Sequence, residues 1–432
     1  MANEESKNSR IFLVIVVYLS LFLDNVLLTV LVPIIPDYLC TLEGNATSIV
    51  NSVDENGRVG LLLSSKAFIQ LILNPAVGTF IGSTGYAKPL FFGNMCLLIT
   101  ALLFAFGQTY EVLFLARSIQ GISSACIGVS GMSLLASQYP EEDKRSKIMG
   151  FVLGSIALGV LLGYPMGSVL YDFEGKMAPF LLVASFIVIS ISLQIFTLDF
   201  ETVIQKSEEN GSWMTLLSDY RILIISGAIW CSTSPMAILE PCLPIWLKSH
   251  IKAEKWQLGT VFIPDSVGYL IGTNFFGLIA YRYGRCKTAV LAMVLVGVSA
   301  TLVPTATTVS QLIIPHLGMG LGIGVADAAL VPLLASLVDQ SGNYGLVYSI
   351  QQAAVSLAYS VGPIIGGELV RSIGFNWVMR IVGLTNLAYC TLLIYVAVEQ
   401  KKPLSQEEKK DYNSIQMTVS KYERFCDSDD GL

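Results

Sequence analysis

The sequence predicts an all-α integral membrane protein of twelve transmembrane helices arranged as two six-helix bundles. Three observations carry that prediction. The 432 residues are 53% hydrophobic and only 13% charged, with a mean hydropathy of +0.64, and a soluble chain of this size cannot hide so much apolar surface. The apolar residues fall into twelve runs, each near or above the about 20 residues that one helical crossing needs. The two halves of the chain also repeat the same residues at a constant spacing. With a net charge of −6, composition gives no support to nucleic-acid binding.

Turn residues and charges place the twelve segments at 11–36, 58–82, 89–107, 111–138, 148–171, 178–198, 221–247, 256–281, 286–308, 310–338, 342–372 and 376–397. The run after Arg10 is too long for a signal peptide and lacks a small-residue cleavage site, so it is expected to remain as the first span. Residues 1–10 then form a cytosolic N-terminus, 11–198 the first bundle, 199–220 a central cytosolic loop and 221–397 the second bundle. The hydrophilic tail, 398–432, is expected to be disordered.

Lys and Arg set the orientation. Lys88, Lys144, Arg145, Lys147, Arg282, Arg285 and Lys287 fall on the side of the N-terminus, against Arg58, Lys176, Lys248, Lys252, Lys255 and Arg371 on the other. Both termini are therefore expected in the cytosol. The sequon Asn45-Ala46-Thr47 then lies on the luminal or extracellular side, which makes Asn45 a glycosylation candidate. In the tail, "YNSI" (412–415) and "YERF" (422–425) fit Tyr-x-x-bulky patterns that sorting adaptors read.

Eight Cys and two His are scattered without a CxxC pair or a Cys/His cluster. No metal site, cofactor or disulfide framework is expected, and most of the cysteines read as small buried hydrophobes. No nucleophile–base pair or phosphate-binding glycine loop points to an enzyme.

The repeat is read from short matches. "SLLAS" at 133–137 matches "PLLAS" at 332–336, an offset of 199 residues. The same offset takes Gly163 and Gly167 to Gly362 and Gly366, and Gly78, Gly85 and Lys88 to Gly277, Gly284 and Lys287. "PIIP" at 33–36 matches "PCLP" at 241–244 at offset 208, so the first half carries about nine more residues between its first two helices. Parallel six-helix repeats characterise the major facilitator fold, whose binding site lies at the midplane between the halves.

Ionisable residues inside the segments are few: Asp24, Lys66, Arg117, Glu240, Asp265, Asp327 and Arg380. An ionised group at mid-bilayer costs about 2.5–3.5 kcal/mol even on insertion scales, so such residues face a hydrated cavity or each other. Asp24, in "SLFLDNVLLTVLVPIIP", is expected to face a central cavity where Lys66 or an organic cation neutralises it. Asp24, Lys66, Glu240 and Asp327 come from both halves, so their pairing can change between outward- and inward-facing states and carry a proton across. Arg380, Glu368 and Arg371, near helix ends, read as structural pairs or snorkelling groups. Trp246, Phe262, Tyr269 and Tyr359 lie near the acids, with Asp265 and Tyr269 at i, i+4. Each aromatic face stabilises an organic cation by about 0.5–2 kcal/mol.

The stretches "LDNVLLTVLVPIIPDYL", "SSKAFIQLILNP", "ARSIQGI", "AILEPCLPIWL", "KWQLG", "YLIGTNFFGLIA", "GVADAALVP" and "VYSIQQA" resemble the vesicular amine transporters, nearest the vesicular monoamine transporters. The resemblance implies exchange of luminal protons for a cytosolic amine across a vesicle membrane. It implies that Asp24 faces the substrate ammonium beside Asn25, with Lys66 as ion-pair partner and Asn74 as a polar pocket residue. Glu240 becomes a second acid touching the amine, while Trp246 and Arg117 join a luminal gate. Tyr269 and Asp327 form a cytosolic-side gate, Asp327 also being a proton-coupling candidate, and Tyr359 and Phe262 line an aromatic pocket.

The sequence departs from that pattern in specific places. Gln352 stands where the family has an aspartate, and an amide cannot titrate. Asp265 stands where the family has a small apolar residue and is a candidate to take over the coupling role. Tyr164 replaces a proline, the serines expected at the end of the third helix are replaced by "FGQTY", and no Cys adjoins "EKWQLG". The expected function is a proton-coupled antiporter of a cationic amine in a secretory or synaptic vesicle membrane, its partners being the amine, protons and the lipid bilayer. The alternatives are a plasma-membrane organic-cation or polyamine facilitator with weak proton coupling, and a non-transporting amine sensor.

Overall fold

The computed structural model describes residues 2–43, 52–198 and 213–399. The sequon at Asn45, the sorting patterns of the tail and most of the central loop lie outside the described residues. Twelve long helices follow in order: α1 (Ala2–Glu43), α2 (Ser52–Thr84), α3 (Ala87–Phe106), α4 (Tyr110–Gln138), α5 (Glu142–Glu174), α6 (Met177–Thr197), α7 (Tyr220–Trp246), α8 (Ile263–Tyr283), α9 (Arg285–Leu302), α10 (Ile313–Leu337), α11 (Tyr344–Ile373) and α12 (Phe375–Glu399). Short helical pieces at Trp213–Ser218, Leu247–Ile251, Lys255–Thr260, Val303–Thr305 and Val309–Leu312 connect them.

Two boundaries differ from expectation for physical reasons. The stretch 37–57, expected as a polar loop, is helical up to Glu43 and again from Ser52. Loss of apolar character marks where a span leaves lipid, whereas the helix persists while its backbone bonds do. The segment expected at 256–281 is broken near Val261, and Pro264 sits in the first turn of α8, where its missing N–H costs nothing. Eleven described helices are long and apolar enough to cross a membrane. The twelfth is α8, 21 residues long, in which Asp265, Ser266, Thr273 and Asn274 dilute the apolar content.

Within the first half α1 packs on α5 and α6, and α3 on α4 and α6; within the second, α8 packs on α10, α9 on α10 and α12, and α7 on α11. The halves meet through α2 with α11 and α5 with α8. Small residues let these backbones approach closely. A Cβ on Gly78 would lie 2.6 Å from Ser349 Oγ and 2.8 Å from Gly345 O, and one on Gly277 would lie 2.6 Å from Ser146 O. The offset of 199 residues maps Gly78 onto Gly277, Ser146 onto Gly345 and Gly150 onto Ser349, so the two contacts are the same contact seen from each half. Likewise Gly167 sits on Val30 and Gly366 on Ile238, the glycines being related by offset 199 and their partners by offset 208. The matched glycines at 78, 167, 277 and 366 are therefore close-approach points of a two-fold pseudosymmetric bundle.

At the end rich in Lys and Arg the halves are tied by charge. Arg145 on α5 donates two hydrogen bonds of 2.6 and 2.7 Å to Asp339, just beyond α10, and Tyr344 donates a third of 2.8 Å. Burial alone raises the Asp339 carboxyl, but the hydrogen bonds from Arg145 and Tyr344 outweigh it and hold the group below its usual range. Arg285 at the start of α9 donates to Ser146 Oγ at 2.9 Å and lies 3.3 Å from Glu142. This end is closed.

Candidate functional site

Asp24 lies on α1, 4% exposed, and its carboxylate is fully engaged. Lys66 Nζ on α2 is 3.6 Å from Oδ2, and Ser124 Oγ on α4 lies 2.8 and 2.7 Å from the two oxygens. Arg117 donates to Gln120 Oε1 at 2.6 Å, and Gln120 in turn donates to the backbone carbonyl of Asp24 at 3.4 Å. Arg117, Gln120 and Ser124 are spaced by three and four residues, so they share one face of α4. The structure thus joins Asp24, Lys66 and Arg117 in one buried network. It places Arg117 beside Asp24. Gln120 and Ser124 were missed by sequence reasoning, although a polar stripe at helical spacing in an apolar segment was the available signal.

Glu240 comes from the other half. It and its neighbour Pro241 are exposed, yet Glu240 lies within electrostatic reach of Lys66 and Arg117, both buried in the first half. The acid is thus accessible at the surface of its own half while facing the charge of buried bases in the other. Among the described residues Glu240 has no ion-pair partner within 4.0 Å. Prolines 235, 241 and 244 interrupt α7. Pro244 lacks the N–H that would bond the carbonyl of Glu240, and Pro241 the one for Ala237, so two regular helical hydrogen bonds are missing next to the acid.

Asp265, in the first turn of α8, is 9% exposed, and its Oδ1 has no hydrogen-bond partner among the described residues. Glu240 is within electrostatic reach of it, as are Tyr164 and Tyr359. One turn further on, Tyr269 donates its hydroxyl to Asp327 Oδ2 on α10 at 2.7 Å. Tyr359 on α11 is half-buried and reaches both Glu240 and Asp327 electrostatically.

Other expected site residues sit elsewhere. Asn74, expected in the pocket, is fully buried and bridges the halves by donating from Nδ2 to Ser356 Oγ at 3.2 Å, while its Oδ1 has no hydrogen-bond partner among the described residues. Asn25 turns back on α1 and donates to Leu21 O at 2.8 Å. Phe262 is buried edge-on against His316 with centroids 6.0 Å apart, so it lines the interior of the second half rather than an open pocket. Trp246 stacks on Phe375 at 5.0 Å and on His250 at 5.3 Å. Gln352 packs its amide on Gly128, where a Cβ would lie 2.9 Å from Nε2. Arg380 lies over the Trp377 ring at 5.5 Å. Glu368 and Arg371 are exposed. The six described cysteines are buried, and no group of three or more His, Cys, Asp or Glu able to hold a metal ion occurs among the described residues.

The model of the Major Facilitator Superfamily matches residues 14–234 and 225–424. The chain is 37% identical over 471 residues to the synaptic vesicular amine transporter of Homo sapiens, covering 94% of this chain and 91% of that protein. It is 37% identical to the chromaffin granule amine transporter of Rattus norvegicus, with the same coverage. This chain belongs to the vesicular amine transporter family of the Major Facilitator Superfamily. The transporter is also 36% identical to a probable vesicular acetylcholine transporter of Danio rerio, over 94% of this chain and 83% of that one. Its fold matches the crystal structure of the human organic anion transporter MFSD10 with a TM-score of 0.72 at 18% identity, covering 89% of this chain and 99% of that chain. At that identity the likeness speaks to the fold alone. Fold and relatives are those of multi-pass membrane transporters, not of enzymes.

Proposed function

We propose that the transporter moves a cationic amine from the cytosol into secretory or synaptic vesicles in exchange for protons, by alternating access of its two halves. The observation that carries this reading is the arrangement of Asp24 and Glu240, one acid from each half, about the same two bases, Lys66 and Arg117. Relatives named as vesicular amine transporters support it. Glu240, accessible and without an ion pair among the described residues, supplies the first counter-charge for an entering ammonium. Asp24 is held in reserve by Lys66 and Ser124. An ammonium that displaces Lys66 from Asp24 exchanges one ion pair for another, so the buried carboxylate is never left bare.

The closed, Lys/Arg-rich end corresponds to a lumen-facing state. Reaching the opposite state requires breaking the Arg145–Asp339 and Arg285–Glu142 pairs and sliding the small-residue seams of α2–α11 and α5–α8 apart. Exchange also requires a carboxylate that changes protonation between the two states. Asp327, tied to Tyr269 on a helix that packs across the seam, is one candidate for that role, with Asp24 and Asp265 as the others. Gln352 favours a second reading, a facilitator with weak coupling. Its amide fills space against Gly128 and has no acid to titrate there.

The test is reconstitution into proteoliposomes with an acidic lumen and uptake of a labelled amine panel with and without an uncoupler. Accumulation above equilibrium that the uncoupler abolishes supports exchange. Equilibration indifferent to the uncoupler favours the facilitator, and absence of any amine flux overturns both.

A further inference from the structure

We propose that the cleft accepts dicationic amines, and that Asp265 is the residue that sets this specificity. The inference rests on the amine-transport reading above. It begins with the balance of charge around the cleft. Six helices contribute Asp24, Lys66, Arg117, Glu240, Asp265 and Asp327, four acids against two bases. Lys66 is committed to Asp24 at 3.6 Å, and Arg117 is shared electrostatically between Asp24 and Glu240. Asp327 takes the hydroxyl of Tyr269.

Asp265 is the acid left over. No cation lies within 4.0 Å of it and its buried Oδ1 has no hydrogen-bond partner among the described residues; Asp327 also keeps its Oδ1 unpartnered, but its other oxygen takes the Tyr269 hydroxyl. A polar atom buried without a partner is costly, and in a binding cleft it marks a position that a ligand completes. The described residues offer no third His, Cys, Asp or Glu to make it a metal site, so the missing partner is an organic cation or a proton.

The surroundings favour the organic cation. Asp265 and Glu240 sit on consecutive long helices and feel each other's charge. Tyr164 from α5 and Tyr359 from α11 lie within electrostatic reach of both, and tyrosine faces hold alkylammonium groups. An amine with one ammonium balances Glu240 and leaves Asp265 uncompensated. A short alkyl diamine, or an amine carrying a second basic group, brings one charge to each acid. A charge count of minus two, with both bases already engaged, fits a dication better than a monocation.

Proteoliposomes containing the full chain test this with labelled 1,4-diaminobutane and labelled 2-phenylethylamine. The wild-type transporter takes up both, and unlabelled diaminobutane competes with phenylethylamine. In Asp265→Asn the diamine-to-monoamine ratio of kcat/KM falls at least tenfold, and Asp265→Glu, which restores the carboxylate, brings it back to within threefold of wild type. The inference is overturned if wild type carries the monoamine but is neither fed nor inhibited by the diamine. It is equally overturned if Asp265→Asn changes both substrates alike, the behaviour of a residue that only holds a proton. Where a variant fails to fold, the wild-type competition measurement decides. No uptake of either amine by wild type instead removes the transport reading on which the inference stands.

Discussion

Replacing Lys66 by methionine keeps the length of the side chain and deletes its charge. The consequence follows from the geometry around Asp24. At 3.6 Å and an effective dielectric of about 20, the Lys66–Asp24 attraction is about 5 kcal/mol. Both groups have already left water, Asp24 being 4% and Lys66 9% exposed. Removing only the lysine therefore strands a buried carboxylate supported by Ser124 alone, at a cost of about 3–5 kcal/mol. Asp24→Asn in the Lys66→Met background removes the stranded charge while keeping the hydrogen bond from Ser124, so most of that loss returns. The assay is thermal stability of the purified protein in detergent for wild type, both single variants and the double variant. The expected pattern is strong non-additivity, with Lys66→Met melting well below wild type and the double variant recovering more than half of the difference. Amine uptake is lost in the double variant in spite of its recovered stability. A stable Lys66→Met protein, or singles that simply add, would refute the inference that the pair is a buried, coupled unit.

Three further outcomes are expected. Arg145→Ala frees Asp339 and loosens the closed end, so a cysteine placed at the buried Ser349 reacts several times faster with a membrane-impermeant thiol reagent applied at the Lys/Arg-rich end. Because the Asp339 carboxyl is held below its usual range, that contact is fully present above about pH 3.9 and is lost only as pH falls through the lowered value; the ratio of Ser349→Cys reactivity without and with Arg145, in which the pH dependence of the thiolate cancels, therefore stays flat from pH 5 to pH 8. Tyr269→Phe deletes the 2.7 Å bond to Asp327, and a hydrogen bond to a charged group is worth about 1.5–3 kcal/mol. Uptake is expected to slow by about tenfold or more, and unchanged uptake would detach this pair from transport. Gln352→Asp puts a titratable group against Gly128, and an increase in uncoupler-sensitive accumulation would show that coupling had been limited by the amide.

The sequence by itself determined the class of fold. Lipid requires every backbone group to be paired within its own helix, so long apolar runs translate almost directly into spans, and the constant offset between "SLLAS" and "PLLAS" carries the two-fold relation of the halves. It also singled out Asp24, Lys66, Glu240 and Asp327, because a charge in an apolar run needs a reason to be there. Helix ends were less legible, as α1 and α2 run into 37–57, since hydrophobicity reports the edge of the lipid and not the end of a hydrogen-bonded helix. Partnerships were legible only in part. Nothing local distinguishes Asn74, bonded across the seam, from a pocket residue, or Arg145 and Asp339, 194 residues apart, from ordinary loop charges. That Asp265 has a buried oxygen without a partner among the described residues while Asp24 has Lys66 and Ser124 on its carboxylate depends on which helices pack side by side. The energy of a charge is set by what surrounds it, and only the tertiary structure brings those surroundings together.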